Sequence, residues 1–117
     1  MSHQQQPETL LRSIEQLATA LEAATETLAT EHAVALSFIE GLGAGETIEA
    51  IVTRNDMATV RERLTDALIE IDAARGRARA ELFQALLREG HSIGQIARMW
   101  GISRQLASRI VRESAAS

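Results

Sequence analysis

Residues 79–113 read RAELFQALLREGHSIGQIARMWGISRQLASRIVRE, and this stretch decides the fold of the C-terminal third of the chain. Gly90 is placed to end one helix, and Ser92 to cap the next, with Gln95 as its capping-box partner three residues later. The buried stripe of that second helix is expected to consist of Ile93, Ile96, Ala97 and Trp100. The pattern therefore predicts two helices joined by a short link.

A turn and a third helix follow. Gly101 can adopt the positive φ that a tight turn requires, and Ile102 is expected to fill the corner behind it. Ser103 is placed to cap the third helix, whose inward side chains are Leu106, Ala107, Ile110 and Val111. The small side chain of Ala97, four residues before Gly101, allows the helices to cross closely.

Together, these features over residues 79–113 resemble the helix-turn-helix motif of bacterial transcriptional regulators and resolvase-type recombinases. The resemblance implies that residues 103–113 form a recognition helix that enters the major groove of double-stranded DNA. Base contacts are expected from Arg104, Gln105 and Arg109, because arginine can bind guanine and glutamine can bind adenine through two hydrogen bonds. Phosphate contacts are expected from Ser92, Ser103, Ser108 and Arg112. The alternative is an ordinary three-helix bundle with a solvated arginine face.

The charges are divided unevenly along the chain. Residues 1–72 carry four arginines and 13 acidic residues, whereas residues 73–117 carry eight arginines and three glutamates. The first part thus has a net charge of −9 and the second of +5, although the whole chain is acidic at −4. A basic C-terminal end favours binding to DNA, and the acidic part is expected to point away from the phosphate backbone.

The composition indicates a helical, cytoplasmic protein, and the expected binding to DNA would associate it with the nucleoid. The chain has 117 residues, only 3% aromatic residues and a single proline, so one protomer is expected to need a partner to bury its apolar stripes. It has no cysteine, which excludes disulfides and thiolate metal sites. No apolar run reaches the length of a membrane span, and the start MSHQQQPE does not resemble a secretion signal.

Two long helices are predicted before the motif. The first has apolar residues in alternating steps of four and three from Leu10 to Leu42, a coiled-coil seam that Glu31 interrupts. A second series runs from Met57 to Ala78, and residues 46–53 between them could form a short helix or a strand-like link. We therefore predict an all-α fold: an antiparallel helical hairpin over 8–75 for dimerisation, then a three-helix unit over 76–114. The ends, 1–7 and 115–117, are expected to be flexible.

Other kinds of site are disfavoured. The glycines of GLGAGE (41–46) lack the lysine of a phosphate-binding loop and are interpreted as the end of a helix. The helical carboxylates lack the Glu-x-x-His spacing of a di-metal site, and no serine, histidine and carboxylate lie close enough in sequence to suggest hydrolysis. We therefore predict no enzymatic activity, no cofactor and no metal.

The sequence thus favours a homodimeric regulator that binds double-stranded DNA sequence-specifically, as a repressor rather than an activator, because no separate activation surface is evident. Two alternatives remain open. One is an architectural or partition protein with little sequence preference, and the other is a coiled-coil module that recruits another factor. The sequence does not indicate whether a small-molecule effector exists.

Overall fold

A computed structural model describes the backbone of residues 2–116 and the side chains of residues 8–115. Five helices account for most of this range: α1 (Ser2–Gly43), α2 (Ile48–Arg54), α3 (Met57–Arg88), α4 (Ile93–Trp100) and α5 (Arg104–Ala116). The described residues contain no strand, so the predicted all-α class with two long helices is confirmed, and the ambiguous link between them contains the short helix α2. Of the residues predicted to be flexible, 1–7 and 115–117, only Ala115 has a described side chain.

Three helices end at a glycine with positive φ. Gly45, Gly90 and Gly101 follow α1, α3 and α4 with φ of 79°, 99° and 68°. In each case the next amide donates a hydrogen bond to the carbonyl five residues earlier, at 3.0–3.1 Å, in the pairs Glu46–Gly41, His91–Leu86 and Ile102–Ala97. This is the Schellman arrangement, which glycine favours because it has no Cβ to clash at positive φ. The predicted helix ends at Gly90 and Gly101 are confirmed.

The chain forms two compact units. Unit 1 combines α1 up to Leu17 with the chain from Ala73 onward, and unit 2 is Ala18–Asp72. The sequence placed a boundary between Arg75 and Gly76 but did not suggest that the start of α1 belongs with the C-terminal part. Unit 1 contains nine arginines and five glutamates, whereas unit 2 contains three arginines and eleven acidic residues. The uneven charge of the sequence is therefore also a difference between the two units.

The core of unit 1 forms around Phe83 of α3, which is completely buried. Around it lie the buried side chains of α4 and α5, namely Ile96, Ala97, Ala107 and Ile110. The small side chains of Ala97 and Ala107 allow the two short helices to approach closely. The expectation that Trp100 is buried is wrong, because the residue lies at the exposed end of α4, although its ring still meets the Phe83 ring edge-on, with 4.9 Å between ring centroids. It remains 39% exposed.

Unit 2 is organised around Ile51 of α2, which is also completely buried. The oxygen of the Thr47 side chain caps α2 by accepting a 3.2 Å hydrogen bond from the amide of Ala50. At the other end of α2, Asn55 Nδ2 donates to the Ile51 carbonyl at 2.8 Å and to Ser37 Oγ of α1 at 3.0 Å. These bonds fix the corner between the two long helices.

The apolar series predicted on α1 divides into two lines within unit 2. Ala24 is buried and Phe38 half-buried, whereas Leu21, Leu28 and Leu42 are 47–55% exposed. Members of each line are separated by multiples of seven residues. The two lines lie about 50° apart around the helix axis. A step of three residues falls short of a full turn, and a step of four residues exceeds it. The folded chain covers the line of Ala24 and Phe38 together with Ala20 and Val34, which the predicted seam did not include, and it leaves the line of leucines exposed.

No helix of the described residues combines enough length and apolarity to cross a membrane.

Candidate nucleic-acid interface

The first helix of the candidate interface, α4, begins with the predicted capping box. Gln95 N donates to Ser92 Oγ at 3.1 Å, and Ser92 N donates to Gln95 Oε1 at 2.8 Å. The two bonds satisfy the backbone amides of Ser92 and Gln95, so they fix where α4 starts. Ser92 itself is exposed, as a phosphate contact would require.

The link between α4 and α5 contains three residues, Gly101 to Ser103. Gly101 has φ 68° and ψ 35°, in the left-handed region that was predicted for it. Ile102 is half-buried against the core around Phe83, so it fills the corner as expected. Ser103 Oγ accepts a 3.0 Å hydrogen bond from the amide of Leu106 and thereby caps α5. The hydroxyl of Ser103 is thus engaged by its own helix, although the residue is exposed.

Buried and exposed residues divide α5 into two faces. Ala107 and Ile110 are buried, and Leu106 and Val111 are partly buried against the same core. On the other face, Arg104, Gln105, Arg109 and Arg112 are exposed, and Ser108 is half-buried. At about 100° per residue, these five polar side chains fall within an arc of about 140°. Five of the seven predicted contact residues therefore share one face of one helix, and Ser92 and Ser103 are the caps of α4 and α5.

The exposed face of α5 is positively charged. Its three arginines have no acidic residue within the arc, and Glu113 lies at its margin. Arg109 Nε lies 4.0 Å from Glu113 Oε1, and the two side chains are 61% and 72% exposed. An exposed ion pair of this length is weak, so Glu113 does not prevent the Arg109 guanidinium from contacting another group.

Gln84 of α3 holds α5 in place, a role that was not predicted from the sequence. Its Nε2 donates to the carbonyl of Val111 at 3.2 Å and to Ser114 Oγ at 3.0 Å. Ser114 Oγ in turn donates to the Val111 carbonyl at 3.0 Å. Because Gln84 is next to Phe83, α3 fixes α5 through both apolar and polar contacts. A polar residue beside a core phenylalanine gives no sequence signal for a partner 27 residues away.

The side chain of Arg98 is a further exposed cation in this region that the sequence analysis did not select. It lies near the end of α4, next to Met99, whose side chain is 53% exposed. It belongs to α4, whereas the candidate base-reading residues belong to α5.

No three histidine, cysteine or acidic side chains among the described residues are close enough together to hold a metal ion. No protein-family model matches the chain, and neither the curated proteins nor the solved structures contain one with significant similarity.

Proposed function

We propose that this chain is a homodimeric transcriptional regulator, a repressor, that binds double-stranded DNA sequence-specifically. In this proposal α4 and α5 form a helix-turn-helix, and α5 is the recognition helix. The observation that carries the proposal is the exposed face of α5, on which three arginines, Gln105 and Ser108 lie together above a well-packed helix pair. Rigid support matters because base recognition depends on the accurate placement of donors and acceptors in the groove.

The residues near the start of α5 are assigned to bases. Arg104 and Gln105 lie in its first turn and Arg109 one turn later, the part of a recognition helix that enters the major groove. Arg112, farther along, is assigned to phosphate together with Ser92, Ser103 and Ser108. The side chains of Ser92 and Ser103 already accept a backbone hydrogen bond, so each contributes its hydroxyl proton and the adjacent helix N-terminus to the phosphate.

Dimerisation is assigned to unit 2, where α1 and α3 would form the antiparallel hairpin. Leu21, Leu28 and Leu42 lie on one line of α1, and each is about half exposed. Two further apolar side chains, Leu68 and Ile69 of α3, are 56% and 63% exposed. Exposed apolar side chains at seven-residue intervals are the pattern by which helices associate. Two copies would place two recognition helices on one duplex, in successive major grooves about 34 Å apart.

The proposal is tested by selecting bound sequences from a pool of random DNA duplexes and measuring the mass of the complex by light scattering. We expect an inverted repeat to be enriched by two protomers. Binding of many protomers without an enriched sequence would contradict the regulator and favour the architectural protein. Absence of any binding would contradict DNA recognition altogether and favour the interaction module.

The assignment of Arg104 gives a sharper prediction. Replacing it with alanine should weaken binding to the selected sequence by about 1–3 kcal/mol and relax the preference at one base pair, because a two-hydrogen-bond contact to guanine is lost. Arg61→Ala is the matched control, since Arg61 is an exposed arginine of α3 in unit 2. Binding constants for the selected and a random duplex, measured at one salt concentration, give the comparison. Equal losses on both duplexes would show that Arg104 contacts phosphate instead.

A further inference from the structure

Unit 1 contains a cleft of about 540 Å³ whose walls come from three helices. Arg12 lies on the α1 wall, Gly76, Arg77 and Arg79 on the α3 wall, and Ile110 and Ser114 on the α5 wall. The volume is within the range of sites that hold small organic molecules. All of its lining residues belong to unit 1, so the cleft is a feature of one compact body.

The guanidinium of Arg79 is the most informative group of this cleft. Its Nε is buried and has no hydrogen-bond partner among the described residues. The guanidinium group has five N–H donors and no acceptor, so this Nε–H can be satisfied only by an acceptor from another group. A buried N–H without an acceptor is unfavourable, and an anion that reaches Nε from the cleft would supply the acceptor.

Two further arginines make the net charge of the cleft lining positive. Arg12 and Arg77 are exposed, and both line the cleft together with Arg79. Glu81 and Glu113 also line it, so the three cations outnumber the anions by one. This combination suits a ligand that has a negative group for the arginines and hydroxyl or amino donors for the carboxylates.

Gly76 keeps part of the α3 wall free of side chain. A Cβ at this position would meet no atom within 4 Å, and Gly76 is not among the glycines with positive φ. Neither close packing nor backbone conformation therefore requires glycine here. Glycine inside a helix is destabilising relative to alanine. At Gly76, no packing contact within unit 1 offsets this loss of stability. Without a side chain at Gly76, the space beside this wall of the cleft stays open to a ligand.

We propose that this cleft binds a small organic anion, a carboxylate or phosphate ester with additional hydrogen-bond donors, and that this ligand is an effector of the protein. The α5 wall links the ligand to the candidate nucleic-acid interface, because the helix that carries Ile110 and Ser114 also carries Arg104 and Arg109. A ligand that contacts α5 changes DNA affinity to the extent that it favours one position of that helix. This second step rests on the proposed function, whereas anion binding does not.

Anion binding is tested first without DNA. The full chain is titrated with inorganic phosphate, then with citrate, at constant ionic strength, while the arginine Nε–Hε signals are followed by NMR. We expect a saturable shift of the Arg79 signal with at least one of the two anions, and none with glycerol. The anion that binds more tightly distinguishes a phosphate ligand from a carboxylate ligand.

Two variants show whether the cleft is responsible. Arg79→Gln and Arg77→Gln should each weaken binding of the anion about tenfold, as expected for loss of a charge-assisted hydrogen bond. The affinity is read from the Arg79 signal in Arg77→Gln and from the Arg77 signal in Arg79→Gln. Because Arg77 is exposed, Arg77→Gln retains the fold even where Arg79→Gln does not. Arg61→Gln, in unit 2, should leave the affinity unchanged. A shift of Arg79 that does not saturate, or equal weakening by Arg61→Gln and Arg77→Gln, would overturn the cleft as a site.

The link to DNA is tested separately, by measuring affinity for the selected duplex with and without the anion that binds. A change in the unmodified chain that is lost in Arg77→Gln supports the effector role. Saturable anion binding with unchanged DNA affinity would overturn that role. If the chain binds no DNA, the proposed function fails, and the NMR titration still decides whether the cleft binds an anion.

Discussion

Gly41, near the end of α1, shows how a single missing side chain permits the packing of unit 2. A Cβ on Gly41 would lie 2.7 Å from Ile51 Cδ1 and 2.7 Å from Glu46 Oε2. Ile51 is completely buried, so a shift of its side chain would disturb the core of unit 2. The sequence interpretation of the glycines at 41–46 as a helix end is therefore incomplete. Gly45 ends the helix through its positive φ, whereas Gly41 allows α2 to approach α1.

Replacing Gly41 with alanine should consequently destabilise the protein. We expect the free energy of unfolding to fall by about 1–3 kcal/mol, the usual cost of an added methyl group in a filled core. Gly43→Ala is the matched control, because a Cβ there would meet no atom within 4 Å and alanine has the higher helix propensity. Urea unfolding followed by circular dichroism measures both. Equal stabilities of the two variants would show that Ile51 can shift to accommodate the methyl group.

At the level of elements, the corner formed by α2 is held by an ion pair as well as by Ile51. Arg54 Nη1 donates to Glu46 Oε1 at 2.7 Å, and Nη2 donates to Oε2 at 3.1 Å. This two-bond contact connects the end of α2 to the link before it. The Arg54 hydrogen bonds hold the pKa of Glu46 below its ordinary value of 4.5, and the same contact raises the pKa of Arg54.

The ion pair predicts that the stability of this corner depends on pH. Since the pKa of Glu46 is lowered in the folded state, the stabilisation is complete above the ordinary glutamate pKa and is lost as the pH falls through the lowered value. The effect on stability should be small, because the two side chains are 46% and 36% exposed. NMR titration of the Glu46 carboxyl carbon measures this pKa directly.

Arg54→Gln should return the pKa of Glu46 toward its ordinary value. Arg61→Gln, which removes another exposed arginine of unit 2, should leave it where it is. An unchanged Glu46 pKa in Arg54→Gln would mean that the contact does not persist in solution.

At the level of the whole molecule, the proposed dimer predicts the behaviour of the exposed line on α1. Leu28 is 55% exposed, so Leu28→Glu should leave each protomer folded while placing a charge inside the interface between two copies. We expect light scattering to show the mass of one protomer for this variant and of two for the unmodified chain. Helix content by circular dichroism should be the same for both.

Thr19→Glu provides the control for this experiment. Thr19 is an exposed residue of α1 outside the line of leucines, so the variant adds the same charge to the same helix and should remain dimeric. A single-protomer mass for the unmodified chain, or dimers of unchanged stability in Leu28→Glu, would contradict this interface.

The sequence by itself determined the features that depend on neighbouring residues. The capping box of Ser92 and Gln95, the cap at Ser103 and the turn at Gly101 each involve residues within five positions of one another. The exposed face of α5 followed from helical periodicity. Such features could be predicted because their geometry is fixed by the local backbone.

Only the tertiary structure decided which helical face is covered and by what. Periodicity fixes the angle of a residue around its own helix but does not identify the element that will lie against it. The exposure of Leu28, the need for glycine at Gly41 and the exposure of Trp100 all depend on such neighbours. The cleft of unit 1 is the extreme case, because it joins Arg12, Arg79 and Ser114, which are far apart in the sequence.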